Sequence, residues 1–197
     1  MTKLHNINTN VLDRNTKNEV YRTPAYAYTP LLDYRPDWFK GIGFDPSSGD
    51  GRMIGEIINR GNTHAHYVND IREEERELLN NNVPTTNISI KDYLNWEAPP
   101  EADFLITNPP FSLSVNFVEK ARTHINGPIC ILQSVSWQGT AKRSRWLKTS
   151  GLAFVLNLAK RPRWEVDTGT AHSNIWDFAW FIFLPNHTAL PQMDWLF

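Results

Sequence analysis

Two short stretches and two isolated acids hold groups whose types and spacing could do chemistry. The first stretch is Asn108-Pro109-Pro110-Phe111, which comes after the apolar run Phe104-Leu105-Ile106-Thr107. A residue before proline is pushed out of the helical region, and two prolines in succession stiffen the chain beyond it. The run reads as a buried strand with Asn108 at its end. Its amide oxygen and the next carbonyls are then held in a rigid, extended turn that aims several acceptors at one point. Phe111 sets a flat apolar face beside that point. This suits a planar group carrying an amino substituent, such as adenine. Taken alone, the tetrapeptide reads equally well as a proline-rich loop with Phe111 in the core, so its position among other signals decides.

The second stretch is Asp45-Pro46-Ser47-Ser48-Gly49-Asp50-Gly51, after Gly43-Phe44 and before Arg52-Met53-Ile54-Gly55-Glu56-Ile57-Ile58. The last segment has helical apolar spacing. A strand, a glycine turn and a helix open an α/β sheet, with glycines that let a ligand approach the backbone. The loop lacks the Lys-Ser/Thr pair of a phosphate-cradling P-loop and the full three-glycine dinucleotide fingerprint. Asp70 ends the run His64 to Ile71, about 20 residues beyond the loop, where such folds bind ribose hydroxyls. Asp92-Tyr93 ends the run from Asn87. His64 and His66 lack a third ligand at metal spacing, so that run reads as a plain strand and no metal is expected.

These signals need elements to hold them. Strands are expected at 64–71, 87–93, 102–107, 128–132, 153–158 and 175–184, besides the one entering the glycine loop. Helices are expected at 112–124 and 140–147, and the acidic run 72–77 reads as a solvated helix start. Strand–helix alternation implies a largely parallel, about seven-stranded sheet covered on both faces. Residues 1–20 are polar and read as a flexible arm, leaving 21–197 as one domain and Pro185 to Phe197 as a short tail. The 197 residues carry a net charge of −1, so any nucleic-acid surface must be a local patch. The single cysteine, Cys130, excludes an intrachain disulfide and fits a reducing compartment. There is no signal-peptide core, and the longest apolar run, Phe178 to Leu184, is too short to span a bilayer. A cytoplasmic protein without membrane contact is expected.

Glycine loop, Asp70, Asp92-Tyr93 and Asn-Pro-Pro-Phe fall in order at successive strand ends, where open α/β sheets bind ligands. From about Tyr21 to Leu184 this order resembles the class I S-adenosylmethionine-dependent methyltransferases with a Rossmann-like fold. It is most similar to the small, phage-type DNA adenine-N6 methyltransferases. The resemblance implies S-adenosylmethionine as cofactor. It places Tyr21, Thr23 and Pro24, then Asp45, Pro46, Ser47, Gly49 and Gly51, on that cofactor. Asp70 takes its ribose, Ile71 and Tyr93 flank its adenine, Asp92 takes the adenine edge, and Asn108 also borders it. Asn108, Pro109, Pro110 and Phe111 form the catalytic turn. Arg161-Pro162-Arg163-Trp164 fits an Arg-Pro-x-aromatic that related enzymes carry after strand six.

The expected reaction is direct methyl transfer to the adenine amine. Asn108 and the Pro109 carbonyl accept its two hydrogens, and Phe111 stacks on the base, with Trp164 as a second stacking surface. Lys142, Arg143, Arg145, Arg161 and Arg163 form a basic patch that favours a nucleic acid over a protein substrate. The resemblance puts DNA ahead of RNA. An RNA adenine or protein glutamine methyltransferase, or a silent cofactor-binding subunit, are the competing readings. A monomer or homodimer is expected. With no sizeable target-recognition domain, low sequence specificity is expected.

Overall fold

The computed structural model describes residues 21–164, 172–173 and 176–197. The expected arm at 1–20, residues 168–171 of the polar loop and Ile175 lie outside the described residues. The strands are β1 (Gly43–Asp45), β2 (Tyr67–Asp70), β3 (Asn87–Ile90), β4 (Phe104–Thr107) and β5 (Ile129–Ser134). After them come β6 (Leu152–Leu158), β7 (Arg163–Trp164), β8 (His172–Ser173), β9 (Phe178–Phe183) and β10 (Gln192–Leu196). Helix α1 (Ala25–Tyr34) precedes β1, and α2 (Arg52–Asn59), α3 (Glu75–Asn82), α4 (Ser114–Ala121) and α5 (Ala141–Leu147) lie between strands.

Eight strands make one sheet in the order β10-β6-β9-β5-β4-β1-β2-β3, and β7 and β8 pair as a separate antiparallel ribbon. Every pairing in the large sheet is parallel except the two made by β9, which runs antiparallel to β5 and β6. The chain winds outward from β1 through β2 to β3, then returns to β4 on the other side of β1. Connections leave β1 and β4 in opposite directions, which opens a crevice at their C-terminal ends.

Every residue of β4 and β9 is buried, as strands covered on both faces must be. The period of two splits them between two cores. Phe104 and Ile106 pack with Leu31, Ile54, Leu79 and Trp180 on one side. Leu105 packs with Phe117, Val118 and Phe181 on the other. The fold is thus the expected Rossmann-like α/β arrangement with eight strands rather than seven.

The added strand is β10, built from residues expected to be a tail. It aligns parallel to β6 from Gln192 beside Phe154 to Leu196 beside Leu158. Only Leu196 of its five residues is buried, so no apolar run announced it. The acidic run is a helix start with Glu73, Glu74 and Glu77 exposed as expected, and the correction concerns Glu75 alone. Helix α3 begins at Glu75, and Glu75 is 3% exposed because it pairs with Arg22 at 3.4 Å and Arg72 at 3.0 Å. His66 is also structural. Its Nδ1 accepts the Gly43 N–H at 2.8 Å, so its Nε2–H faces the Asn62 carbonyl at 3.2 Å and ties β2 to the start of β1. Burial lowers its pKa and keeps the ring neutral.

Candidate active site

The strand-end signals converge on a cavity of about 780 Å³ at the C-terminal edge of β1, β2, β3 and β4. Tyr21, Thr23, Pro46, Ser47, Gly49, Asp70, Ile71, Asp92, Tyr93 and the whole of Asn108 to Phe111 line it. Asp45, Pro24 and Gly51 lie behind its wall. Pro24 is buried as the residue capping α1.

The glycine loop is held from beneath. Ser48 donates to the Asn69 carbonyl from its N–H at 2.8 Å and its hydroxyl at 3.0 Å. Asn69 is wholly buried and binds three strand ends together. Its amide nitrogen donates to the carbonyls of Pro46 and Lys91, both at 3.0 Å. Its oxygen accepts from Ser89 Oγ at 3.0 Å and the Lys91 N–H at 3.1 Å. A small or apolar residue there would take the donor from the Pro46 and Lys91 carbonyls, while the Lys91 N–H would keep the Asp70 carbonyl at 3.0 Å and Ser89 Oγ the Val68 carbonyl at 3.4 Å. Gly49 has φ +54°, and a Cβ there would meet only Arg72, at 3.9 Å. The loop backbone at Gly49 is therefore bare towards the cavity.

Asp70 is 4% exposed, and each of its oxygens already accepts two hydrogen bonds. Oδ1 takes the Arg72 N–H and Nε, both at 3.0 Å. Oδ2 takes the Gly49 N–H at 2.9 Å and Arg72 Nη2 at 3.3 Å. A carboxylate offers about four such positions, so a further hydroxyl on Asp70 requires Arg72 to yield. Glu75, 3.0 Å from Arg72 Nη2, offers that guanidinium a place to go. Arg22 and Arg52 both pair with Asp50, at 3.4 and 2.7 Å, and complete an arginine–carboxylate network along one wall. Sequence reasoning missed these arginines, because nothing local marks an arginine as bound to a distant acid.

The second acid is spent differently. Asp92 Oδ1 accepts the Leu94 N–H at 3.1 Å and Oδ2 accepts Asn95 Nδ2 at 2.7 Å, capping the turn Tyr93–Asn95. Tyr93 is 2% exposed, with its hydroxyl 2.8 Å from His124 Nε2, and packs edge-on against Phe44. It is foremost a core residue. Burial raises its pKa and lowers that of His124, whose Nδ1 sits 2.7 Å from the Pro100 carbonyl. Ile71 is 58% exposed at the cavity rim.

Asn108 is the most informative residue. Its Nδ2 donates to Thr23 Oγ1 at 3.1 Å, while its Oδ1 is buried and has no hydrogen-bond partner. A buried unpaired acceptor costs about 1–3 kcal/mol. Thr23, 4% exposed, thus sets which way the amide points. Ser47 Oγ lies 2.8 Å from Thr107 Oγ1 and 3.3 Å from the Asn108 carbonyl, which joins the glycine loop to the tetrapeptide. Gln133, 1% exposed at the end of β5, donates to the Phe111 carbonyl at 3.0 Å and Ser114 Oγ at 2.8 Å. It fixes the far end of the turn and was not anticipated. A polar residue closing the apolar run Ile129 to Leu132 was its only signal.

Asp45 holds a second buried oxygen of the site without a partner, its Oδ2. Burial pushes its pKa up to about 7, against the opposing pull of the Thr107 hydroxyl and the Ser47 N–H.

The outer residues are not brought together. Trp164 is 3% exposed and packs on Phe178, Phe111 and Tyr21 at ring separations of 5.1, 6.3 and 5.8 Å. It backs Phe111 and has no open face, which corrects the expected second stacking surface. Tyr21 does present a ring, 37% exposed and within 9° of parallel to Phe111 at 6.2 Å. Arg161 pairs with Asp177 at 2.7 Å, and the Arg163 backbone N–H donates to Tyr26 Oη at 2.7 Å. On α5, Lys142 and Arg145 are exposed, but Arg143 donates to the Trp137 carbonyl and lies 5.1 Å over its ring. Arg143 braces the protein and does not contribute an open charge.

No family model and no curated protein matches the chain. Solved structures do. A candidate RNA methyltransferase from Pyrococcus horikoshii aligns with a TM-score of 0.66 at 16% identity, over 84% of this chain and 86% of its own. A TehB-like S-adenosylmethionine-dependent methyltransferase from Corynebacterium glutamicum aligns with a TM-score of 0.55 at 12% identity, over 86% and 90%. The modification subunit of a candidate type I restriction enzyme from Vibrio vulnificus aligns with a TM-score of 0.61 at 12% identity, over 93% of this chain and 48% of its own. At these identities the likeness is one of fold.

Proposed function

We propose that this chain is an S-adenosylmethionine-dependent methyltransferase that modifies the exocyclic amine of adenine in DNA. The observation that carries the reading is the unpaired, buried Oδ1 of Asn108, fixed in orientation by Thr23 within Asn-Pro-Pro-Phe at a cavity edge. A buried acceptor held open in this way suits a substrate hydrogen.

The residues present fit the cofactor. The bare backbone at Gly49, the Asp70 carboxylate and the exposed apolar Ile71 offer a surface for the methionine part, a ribose diol and a purine in turn. Asp45 lies under the loop rather than at the surface, so its role is to shape the loop and set its charge. When bound, the cofactor supplies an electrophilic methyl group. The protein's part is to hold the amine. The adenine nitrogen is a poor nucleophile because its lone pair is delocalised into the ring. Asn108 Oδ1 and the Pro109 carbonyl accept one hydrogen each, which favours a pyramidal nitrogen and frees the lone pair. Phe111 stacks on the base, which must leave a duplex to reach it. Fixed dipoles and positioning then carry the acceleration.

The test is transfer of labelled methyl from S-adenosylmethionine to DNA and to RNA, then digestion and scoring for N6-methyladenine. Label in DNA as N6-methyladenine, abolished in Asn108→Ala with cofactor binding retained, is the expected result. Label in RNA alone transfers the same chemistry to the competing substrate. Cofactor binding without transfer to either polymer sinks the reading as a nucleic-acid methyltransferase.

A further inference from the structure

Asp70 is met by two kinds of donor. Two are backbone groups that the fold fixes: the Arg72 N–H on Oδ1 at 3.0 Å and the Gly49 N–H on Oδ2 at 2.9 Å. The other two belong to one side chain, with Arg72 Nε on Oδ1 at 3.0 Å and Nη2 on Oδ2 at 3.3 Å. Each carboxylate oxygen thus carries one fixed donor and one that a rotation of the Arg72 side chain would remove. A guanidinium fork sets two N–H groups side by side on a carboxylate. The two adjacent hydroxyls of a ribose need the same two positions, one on each oxygen. The guanidinium has a second acid within reach, since Nη2 lies 3.0 Å from Glu75 Oε1. Glu75 Oε2 is 3.4 Å from Arg22, so the two oxygens of Glu75 are divided between two arginines. Asp70 and Glu75 are 4% and 3% exposed, whereas the Arg72 side chain is 24% exposed and lines the cavity. The acids are fixed in the wall, and the arginine is the part that can turn.

We propose that Arg72 is a displaceable stand-in for the ribose diol. It turns from Asp70 to Glu75 when S-adenosylmethionine binds, and it returns to Asp70 as S-adenosylhomocysteine leaves. The proposal rests on the reading of Asp70 as the ribose acceptor and adds to it the group that competes for that acceptor. Neither seat leaves the guanidinium without a carboxylate, and Asp70 keeps its two backbone donors in both, so the exchange leaves no buried charge unpaired. Because fork and diol compete for the same two positions, affinity for a diol-bearing ligand is reduced by the fraction of chains in which Arg72 has turned to Glu75. The returning fork also hastens release of the product, so the competition is expected in the off-rate.

Calorimetric titration with S-adenosylhomocysteine tests this, since that ligand has the same ribose and lacks the sulfonium charge. Arg72→Met keeps an unbranched stem and removes the fork. It is expected to bind about 5–30-fold more tightly than the wild type, with slower release in stopped flow. Arg72→Lys keeps the charge without the fork, so it too is expected to bind more tightly, which separates competition from simple electrostatics. It also decides the matter if Arg72→Met does not fold. An analogue lacking both ribose hydroxyls is expected to gain nothing from either substitution. Glu75→Gln weakens the second seat and is expected to lower affinity in the wild type but not in Arg72→Met; an equal loss in both overturns the turn to Glu75. Asp70→Ala in the same assay separates the two readings. If the wild type does not bind, or Asp70→Ala binds as well as the wild type, the ribose reading fails and the proposal with it. If Asp70→Ala binds more weakly while the folded Arg72 variants bind unchanged or more weakly, or gain equally for the analogue without hydroxyls, the ribose reading stands and the proposal is overturned.

Discussion

At the scale of single residues, the site leaves two buried acceptors unpaired, Asn108 Oδ1 and Asp45 Oδ2. For Asn108, replacement by alanine is expected to lower methyl transfer by about 10²-fold or more, the loss seen when one preorganised group of a reaction centre is removed. Thr23→Val keeps the shape but removes the oxygen that holds the Asn108 amide. A freely turning amide is expected to lower kcat by about 5–30-fold while cofactor affinity, read by titration, is held. Asp45 makes stability depend on pH through its raised pKa. The unfolded chain loses this proton near the ordinary carboxylate value of 3.8, whereas the folded chain keeps it to about 7. Between these limits the folded state binds more protons, so the contribution of Asp45 to stability falls as pH rises from 4 to 7 and is flat above. Its magnitude is roughly 4 kcal/mol as an upper figure. Asp45→Asn is therefore expected to melt higher than wild type at pH 8, with the difference shrinking towards pH 4. Thermal melts across that range check it, and a difference independent of pH counts against the assignment.

At the scale of elements, the site depends on polar side chains that join strand ends. Asn69 links β1, β2 and β3 through four hydrogen bonds to the residues after them and to Ser89. Asn69→Ala takes the donor from the Pro46 and Lys91 carbonyls and removes all four bonds, and a stability loss of about 2 kcal/mol is expected in denaturant titration. Because the glycine loop sits on the same residue, cofactor affinity should fall in parallel. Asp70→Ala should differ: it removes the anchor of the Gly49 N–H and the proposed ribose acceptor, so cofactor affinity falls before stability does. Calorimetric titration beside a melt separates the two. If Asp70→Ala binds the cofactor unchanged, its proposed role is wrong.

At the scale of the whole molecule, net charge is close to zero, so binding to a polyanion must come from where the cations sit. Arg143 is committed to Trp137, which leaves Lys142 and Arg145 as the open charges at the start and middle of α5. Replacing those two with alanine is expected to weaken DNA binding alike on all sequences and to flatten its salt dependence by a slope of about two. Adding Arg143→Ala should lower the melting temperature as well, which a purely electrostatic residue would not do. Phosphate contacts position without specifying, and each good bidentate base contact discriminates by only about 1–3 kcal/mol. The proposed enzyme is therefore expected to modify adenines in a context of very few bases, and mapping modified positions on a long mixed-sequence DNA would show it.

The features that the sequence determined by itself were local. Consecutive prolines after an apolar run fix Asn108 at a strand end, and glycines before an amphipathic segment fix a loop between β1 and α2. Their order along the chain placed Asp70 and Asn108 on one edge of a parallel sheet, where both are found. Propensity and periodicity act over a few residues, so such features are legible without a partner. The tertiary structure decided the features that depend on distant contacts. Thr23 holds Asn108 across 85 residues, and Glu75 is buried because Arg22 and Arg72 reach it. Trp164 became a support for Phe111 because β7 brings it against Phe178. β10 joined the sheet because β6 offered an edge, although its own residues alternate polar with exposed apolar groups. None of these has a local signature, since strand order sets which side chains meet and strand order is a property of the assembled sheet.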